Sequence, residues 1–167
     1  PEQIRSVIAS PLALVAGKID PVLANRMVNA LGGDDELPIL EHALLRMWQR
    51  ARSLGRSEID DSDFETICAS RHEGSGNAAP PPGPLLSNAI DNHAWEIHGA
   101  LTSAQREVAR QFFLALVERR EGREVRRPQS LRQLQQLLPE QQHEALAAVI
   151  DAFRSPDAGF VLPPGRQ

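Results

Sequence analysis

The chain has 167 residues, 13 Pro, 11 Gly, one Cys, no Tyr and a formal net charge of −4, which allows one domain or two small ones with a real core and no disulfides. Its 18 basic residues are one lysine, Lys18, and 17 arginines, and the only Gly-Lys reads Gly17-Lys18-Ile19; a phosphate-gripping loop, which needs Gly-Lys-Ser/Thr, is excluded, and Schiff-base chemistry has no second lysine to use. One thiol, Cys68, excludes an internal disulfide framework and a four-thiolate zinc site and fits a reducing, cytoplasmic compartment.

The first half reads as short helices parted by breakers. Ile4, Val7 and Ile8 form an apolar stripe that Pro11 interrupts. Asp20-Pro21 supplies an N-cap followed by proline at the first helical position; Leu23, Met27, Ala30 and Leu31 keep helical spacing, and Gly32-Gly33 ends the run. Asp34-Asp35-Glu36 then places negative charge where the next helix begins, and Pro38 falls in its first turn, where a missing amide proton costs little. Leu40, Leu44, Met47 and Trp48 give that helix a wide apolar face. A shorter helix is expected around Asp61 to Ala69. From Arg71 to Pro84 the Gly/Pro-rich composition holds neither helix nor ladder. The reading is therefore a helical domain over 1–72, a linker over 73–84 and a second domain over 85–167.

The second half opens with a helix expected from Leu85 to about Gly99. Thr102-Ser103-Ala104-Gln105 is a capping box, and Val108, Ala109, Phe112, Phe113, Leu116 and Val117 form the apolar face of the helix it opens, with Gly122 as its stop. Arg123 to Arg127 reads as a short edge strand. Ser130-Leu131-Arg132-Gln133 is a second capping box, opening a short helix that Pro139 breaks; Glu140 to Phe153 is the next. Ser155 to Gly159 has turn chemistry, and Phe160-Val161-Leu162 reads as a strand. Helix, strand, helix, turn, helix, strand is the order of a winged helix. With no second wing strand and no initiator Met, the expected fold is mainly α: a small helical bundle, then a partial winged helix, as a piece of a longer protein.

Three chemistries are weighed on this frame. Cys68 with His72, and His93 with His98, lack the neighbours that complete a metal site, so no metal is expected. Asp60, Asp61, Asp63 and Glu65 cluster where a helix starts, which capping explains without catalysis. From Gln105 to Arg132 eight arginines face four glutamates, and Arg126, Arg127 and Arg132 are the candidate phosphate contacts of a DNA-binding regulator. The candidate recognition helix argues against that role, since Glu140, Glu144 and Asp151 outnumber Arg154. Nucleic acid is thus not an expected partner, nor is a membrane, for want of an apolar run of about 18 residues.

Four segments carry a family resemblance. They are Gly33-Asp34-Asp35-Glu36-Leu37-Pro38 running through Trp48, Leu101 to Phe113, Arg126-Arg127-Pro128 through Leu134, and Phe153-Arg154-Ser155-Pro156 into Phe160-Val161-Leu162-Pro163-Pro164. In this order and spacing the chain resembles the STAND class of signal-transduction NTPases, in particular the bacterial subset whose NTPase module precedes WD40 or other repeats. The resemblance implies a helical domain and a winged-helix domain that follow a P-loop core, without the core itself. It also implies that Pro38, with Gly33 at a longer spacing than a minimal Gly-x-Pro, matches the Gly-x-Pro-type motif whose proline packs near the nucleotide base. None of His42, His93, His98 or His143 matches the phosphate-facing histidine of that family. The segment alone is expected to hold no cofactor and no catalytic residue, while the resemblance implies a parent ATPase that binds ATP or ADP with Mg. Expected partners are the upstream P-loop domain, C-terminal repeat or effector domains and other copies of the protein.

Overall fold

The computed structural model describes residues 17–31, 36–70 and 85–161. It is mainly helical, as expected, and the chain parts into two compact units, residues 1–92 and 93–167. The expected linker over 73–84 lies outside the described residues.

The first unit starts with β1 (Lys18–Ile19), which pairs in parallel with β2 (Glu58–Ile59). Each strand ends at an aspartate that caps a helix. Asp20 accepts from the Val22 N–H at 2.7 Å and opens α1 (Pro21–Ala30), with Pro21 pre-set for the first turn. Asp60 accepts from the Ser62 and Asp63 N–H groups and opens α3 (Asp61–Ile67), while Asp63 returns the bond to the Asp60 N–H in a full capping box. Between them runs α2 (Leu37–Ser53), with Pro38 in its first turn. The apolar spacing read from the sequence is the buried face: Leu23 and Met27 of α1 meet Leu40, Leu44 and Met47 of α2, closed by Ile59 and Phe64. Burying each such side chain contributes about 1.5–3 kcal/mol. The start of α4 (Leu86–Ala100) belongs to this core through Leu86 and Ala89.

In the second unit Thr102 and Ser130 form their capping boxes, with both reciprocal bonds present, and open α5 (Ser103–Ala115) and α6 (Leu131–Gln136). A 3-10 turn (Glu140–Gln142) leads into α7 (His143–Arg154), so Pro139 displaces the regular helix by one turn from the expected start. The His143 Nε2 lies 2.9 Å from the Gln135 carbonyl oxygen and 3.3 Å from that of Leu138, closing the open end of α6. The core joins Val108, Ala109 and Phe112 of α5 to Leu134, Leu146, Val149 and Phe153.

Two expectations are corrected here. The α5 helix stops at Ala115, and Gly122 does not end it; Val117–Arg120 (β3) turns through Glu121-Gly122 into Arg123–Arg126 (β4) as an antiparallel ribbon. Glu121 and Gly122 have φ of 50° and 79°, the positive values a primed two-residue turn requires. For Glu121 that conformation costs roughly 1–2 kcal/mol. Phe113, within α5, and Val117, at the start of β3, are exposed and do not belong to the buried face that Val108, Ala109 and Phe112 form. Phe160 and Val161 form no strand either: both N–H groups turn back onto the Phe153 carbonyl, at 3.0 and 3.2 Å, after Gly159 turns the chain at φ 66°.

Candidate functional site

Pro38 sits at the second position of α2 and is exposed. Its Glu36 cap makes no side-chain capping bond. A proline here removes no helical hydrogen bond and offers an uncharged ring surface for stacking or apolar contact. Gly33, its proposed companion, lies outside the described residues. One turn further on, His42 is half-buried, and burial, followed by the Arg46 charge, pushes its pKa below the usual value. The Gly17-Lys18-Ile19 sequence is no phosphate cradle: Lys18 is in β1, with its backbone N–H donated to the Ser57 carbonyl. Pro38 is in the first turn of its helix, as the sequence spacing predicts.

The acidic run from Asp60 to Glu65 is bound into structure. Arg56 forks across the fully buried Asp63, with Nη2 at 2.6 Å from Oδ1 and Nη1 at 2.9 Å from Oδ2, and also reaches Asp60 at 2.7 Å. Arg50 adds a second cation at 3.4 Å from Asp63. The hydroxyl of Ser62 donates to Asp60 and, with the Arg56 charge and two backbone N–H groups, holds that carboxyl below the ordinary range. Arg26 ties α1 to α3 through Asp61 and Glu65, lies over the Phe64 ring, and has its own pKa raised, chiefly by the Glu65 hydrogen bond. Each carboxylate has a cation or a capping role, which is the arrangement of a clamp and not of an acid–base pair.

Cys68 is fully buried, and burial pushes its thiol up to about 12. His72 lies outside the described residues, and among the described residues no three His, Cys, Asp or Glu side chains gather as metal ligands. His93 is buried with its ring 5.4 Å from Phe160, and His98 sits edge-on to Trp95. The Cys68 thiol is neutral throughout the physiological range. At pH 8 the native chain is therefore expected to be alkylated by iodoacetamide at least roughly a thousandfold more slowly than the urea-unfolded chain. Equal rates would contradict the burial.

Arg126, Arg127 and Arg132 are exposed and none forms an ion pair with a described residue. Arg126 ends β4; Arg127 follows it, its N–H donated to the Leu116 carbonyl at 2.7 Å; Arg132 stands in the first turn of α6. Sequence reasoning found these side chains but missed β3. The two-residue Glu121-Gly122 turn between the short runs Val117-Glu118-Arg119-Arg120 and Arg123-Glu124-Val125-Arg126 was the available signal. Glu140, in the 3-10 turn, and Glu144 and Asp151 of α7 are exposed, with Asp151 paired to Arg154 at 2.8 Å. The groove lined by Gln111, Phe112, Leu134, Leu137, Leu138 and Leu146 has room for about 10 Å³, one water at most. Among the described residues no helix is long and apolar enough to cross a membrane.

The described residues thus form two small helical units, each with its own core, with Pro38 exposed at a helix start and a cationic ribbon exposed in the second unit. The family model described as Novel STAND NTPase 1 matches residues 1–158, and the chain belongs to that family. No curated protein and no solved structure gives a significant match.

Proposed function

We propose that this chain is the regulatory helical and winged-helix-like segment of a STAND ATPase switch. It closes over ATP or ADP held with Mg by an upstream P-loop domain, keeps the molecule compact in one nucleotide state, and releases it for assembly in the other. The observation that carries the reading is membership of the Novel STAND NTPase 1 family over residues 1–158. Exposed Pro38 supports it, because an accessible ring at a helix start can pack against a base that another domain delivers. The second unit is read as the winged-helix-like part, on the order α5, ribbon, α6, α7. The hydrolytic chemistry belongs upstream; this segment contributes contacts that differ between two packings, which is what a nucleotide must sense to shift a two-state equilibrium.

The test is nucleotide titration of the protein that contains the upstream domain. Pro38→Ala is expected to weaken ATP or ADP binding about fivefold, equivalent to about 1 kcal/mol, while the fold stability of residues 1–167 changes little. Unchanged affinity would remove Pro38 from the nucleotide site. The 167-residue chain alone is expected to bind neither nucleotide, and calorimetry that finds tight binding would overturn the division of labour.

A further inference from the structure

We propose that the β3–β4 ribbon is a docking surface for duplex nucleic acid and grips the phosphate backbone with arginines from both strands. The inference is independent of the nucleotide reading. Residues 117–132 carry six arginines against three glutamates. Of the six, Arg120 is held by Glu118 at 2.6 Å. The other five, Arg119, Arg123, Arg126, Arg127 and Arg132, are exposed and have no ion pair among the described residues.

The register sorts these charges. Arg119 stands opposite Glu124 and Arg126 opposite Val117, so Arg119 and Arg126 are diagonal neighbours on one face. On the other face, at the tip, Arg120 stands directly opposite Arg123. Like charges directly opposite destabilise a strand pair, and of the glutamates only Glu118 answers this one. Beside it, Glu121 takes the positive φ that a glycine or asparagine would adopt more easily. A cation–cation pair and backbone strain together at an exposed tip are features that a function of the ribbon would account for.

Cations on both faces, at the tip and at the base suit an extended polyanion that surrounds the ribbon; an acidic peptide would engage one face. The major groove of a duplex admits a two-stranded ribbon, and alternate side chains on one strand stand about 6.8 Å apart. The contacts are with phosphates, which position a protein without reading sequence. The acidic stretch from Glu140 through α7, with Glu140, Glu144 and Asp151 exposed, is expected to stay out of the groove. Residues 93–167 hold ten arginines against nine acidic residues, so attraction is local to the ribbon and binding depends steeply on salt.

Fluorescence anisotropy of a labelled duplex of about 20 base pairs, titrated with the 167-residue chain between about 50 and 200 mM salt, tests this. Binding is expected at the lower salt, with affinity falling as about the third to fifth power of salt concentration. The double substitution R119Q/R126Q is expected to weaken binding about tenfold and to lower that power by about two. R119K/R126K is expected to retain it, and R52A, exposed on the first unit, to leave binding unchanged. Circular dichroism verifies that each variant is folded. No anisotropy change at low salt overturns the proposal, and so does an unaltered salt dependence in R119Q/R126Q. Competition by polyglutamate equal to that by unlabelled duplex also overturns it, and assigns the ribbon to an acidic protein partner.

Discussion

Replacing Asp63 by alanine lowers the unfolding free energy of the first unit by about 3 kcal/mol, the cost of breaking a buried, hydrogen-bonded ion pair from one side. Asp63 is fully buried and accepts two bonds from Arg56 and one from the Asp60 N–H. Its removal leaves Arg50 without its carboxylate and undoes half of the capping box that starts α3. Asp63→Asn keeps the shape and an acceptor oxygen and is expected to cost less. Asp61→Ala, which removes an exposed partner of Arg26, is the contrast: surface pairs contribute about 0.5 kcal/mol or less. Urea unfolding followed at Trp48, which packs against this core, measures all three. A loss under about 1 kcal/mol for Asp63→Ala would mean that the clamp contributes little beyond geometry.

Phe153→Ala is expected to cost the second unit about 4 kcal/mol. The ring is buried, meets Phe113 edge-on at 4.8 Å and Phe160 at 6.1 Å, and lies in the core with Leu146 and Val149. Aromatic pairs of this geometry add about 0.5–1.5 kcal/mol to area burial. The Phe153 carbonyl also receives the Phe160 and Val161 N–H groups, so a cavity at this position loosens the segment after α7 as well. Phe153→Leu fills much of the space and is expected to cost about half as much. Amide hydrogen exchange in α5 and α7 reads the loss directly. Unchanged protection in Phe153→Ala would show that the ring is dispensable.

What was legible in the chain was what is local. The capping boxes at Thr102 and Ser130 and the Asp20-Pro21 start stand where the sequence puts them, because a cap is settled within four residues. Pro38 was placed in a first turn for the same reason, although its exposure depends on packing that no motif states. The β3 strand was hidden because Phe112, Phe113, Leu116 and Val117 keep helical spacing; the stop comes from pairing with β4, seen at its base where the Arg127 N–H meets the Leu116 carbonyl. The Asp60–Glu65 run was read as a helix start, which holds, but the burial of Asp63 under Arg56 depends on where the loop before β2 folds. Family membership rests on the match over residues 1–158, and its signal in the sequence was the order and spacing of four segments.

The small parallel sheet has a kinetic consequence. Lys18 pairs with Glu58 and Ile19 with Ile59, forty residues along the chain, and closing a flexible loop of that length costs about 3 kcal/mol of chain entropy. The β3–β4 ribbon joins residues no more than nine apart and faces no such delay. In folding, the ribbon therefore zips early and the β1–β2 contact forms late, after α2 has shortened the path between its strands. The segment that carries the chain's lone lysine is thus expected to settle last, onto helices already formed.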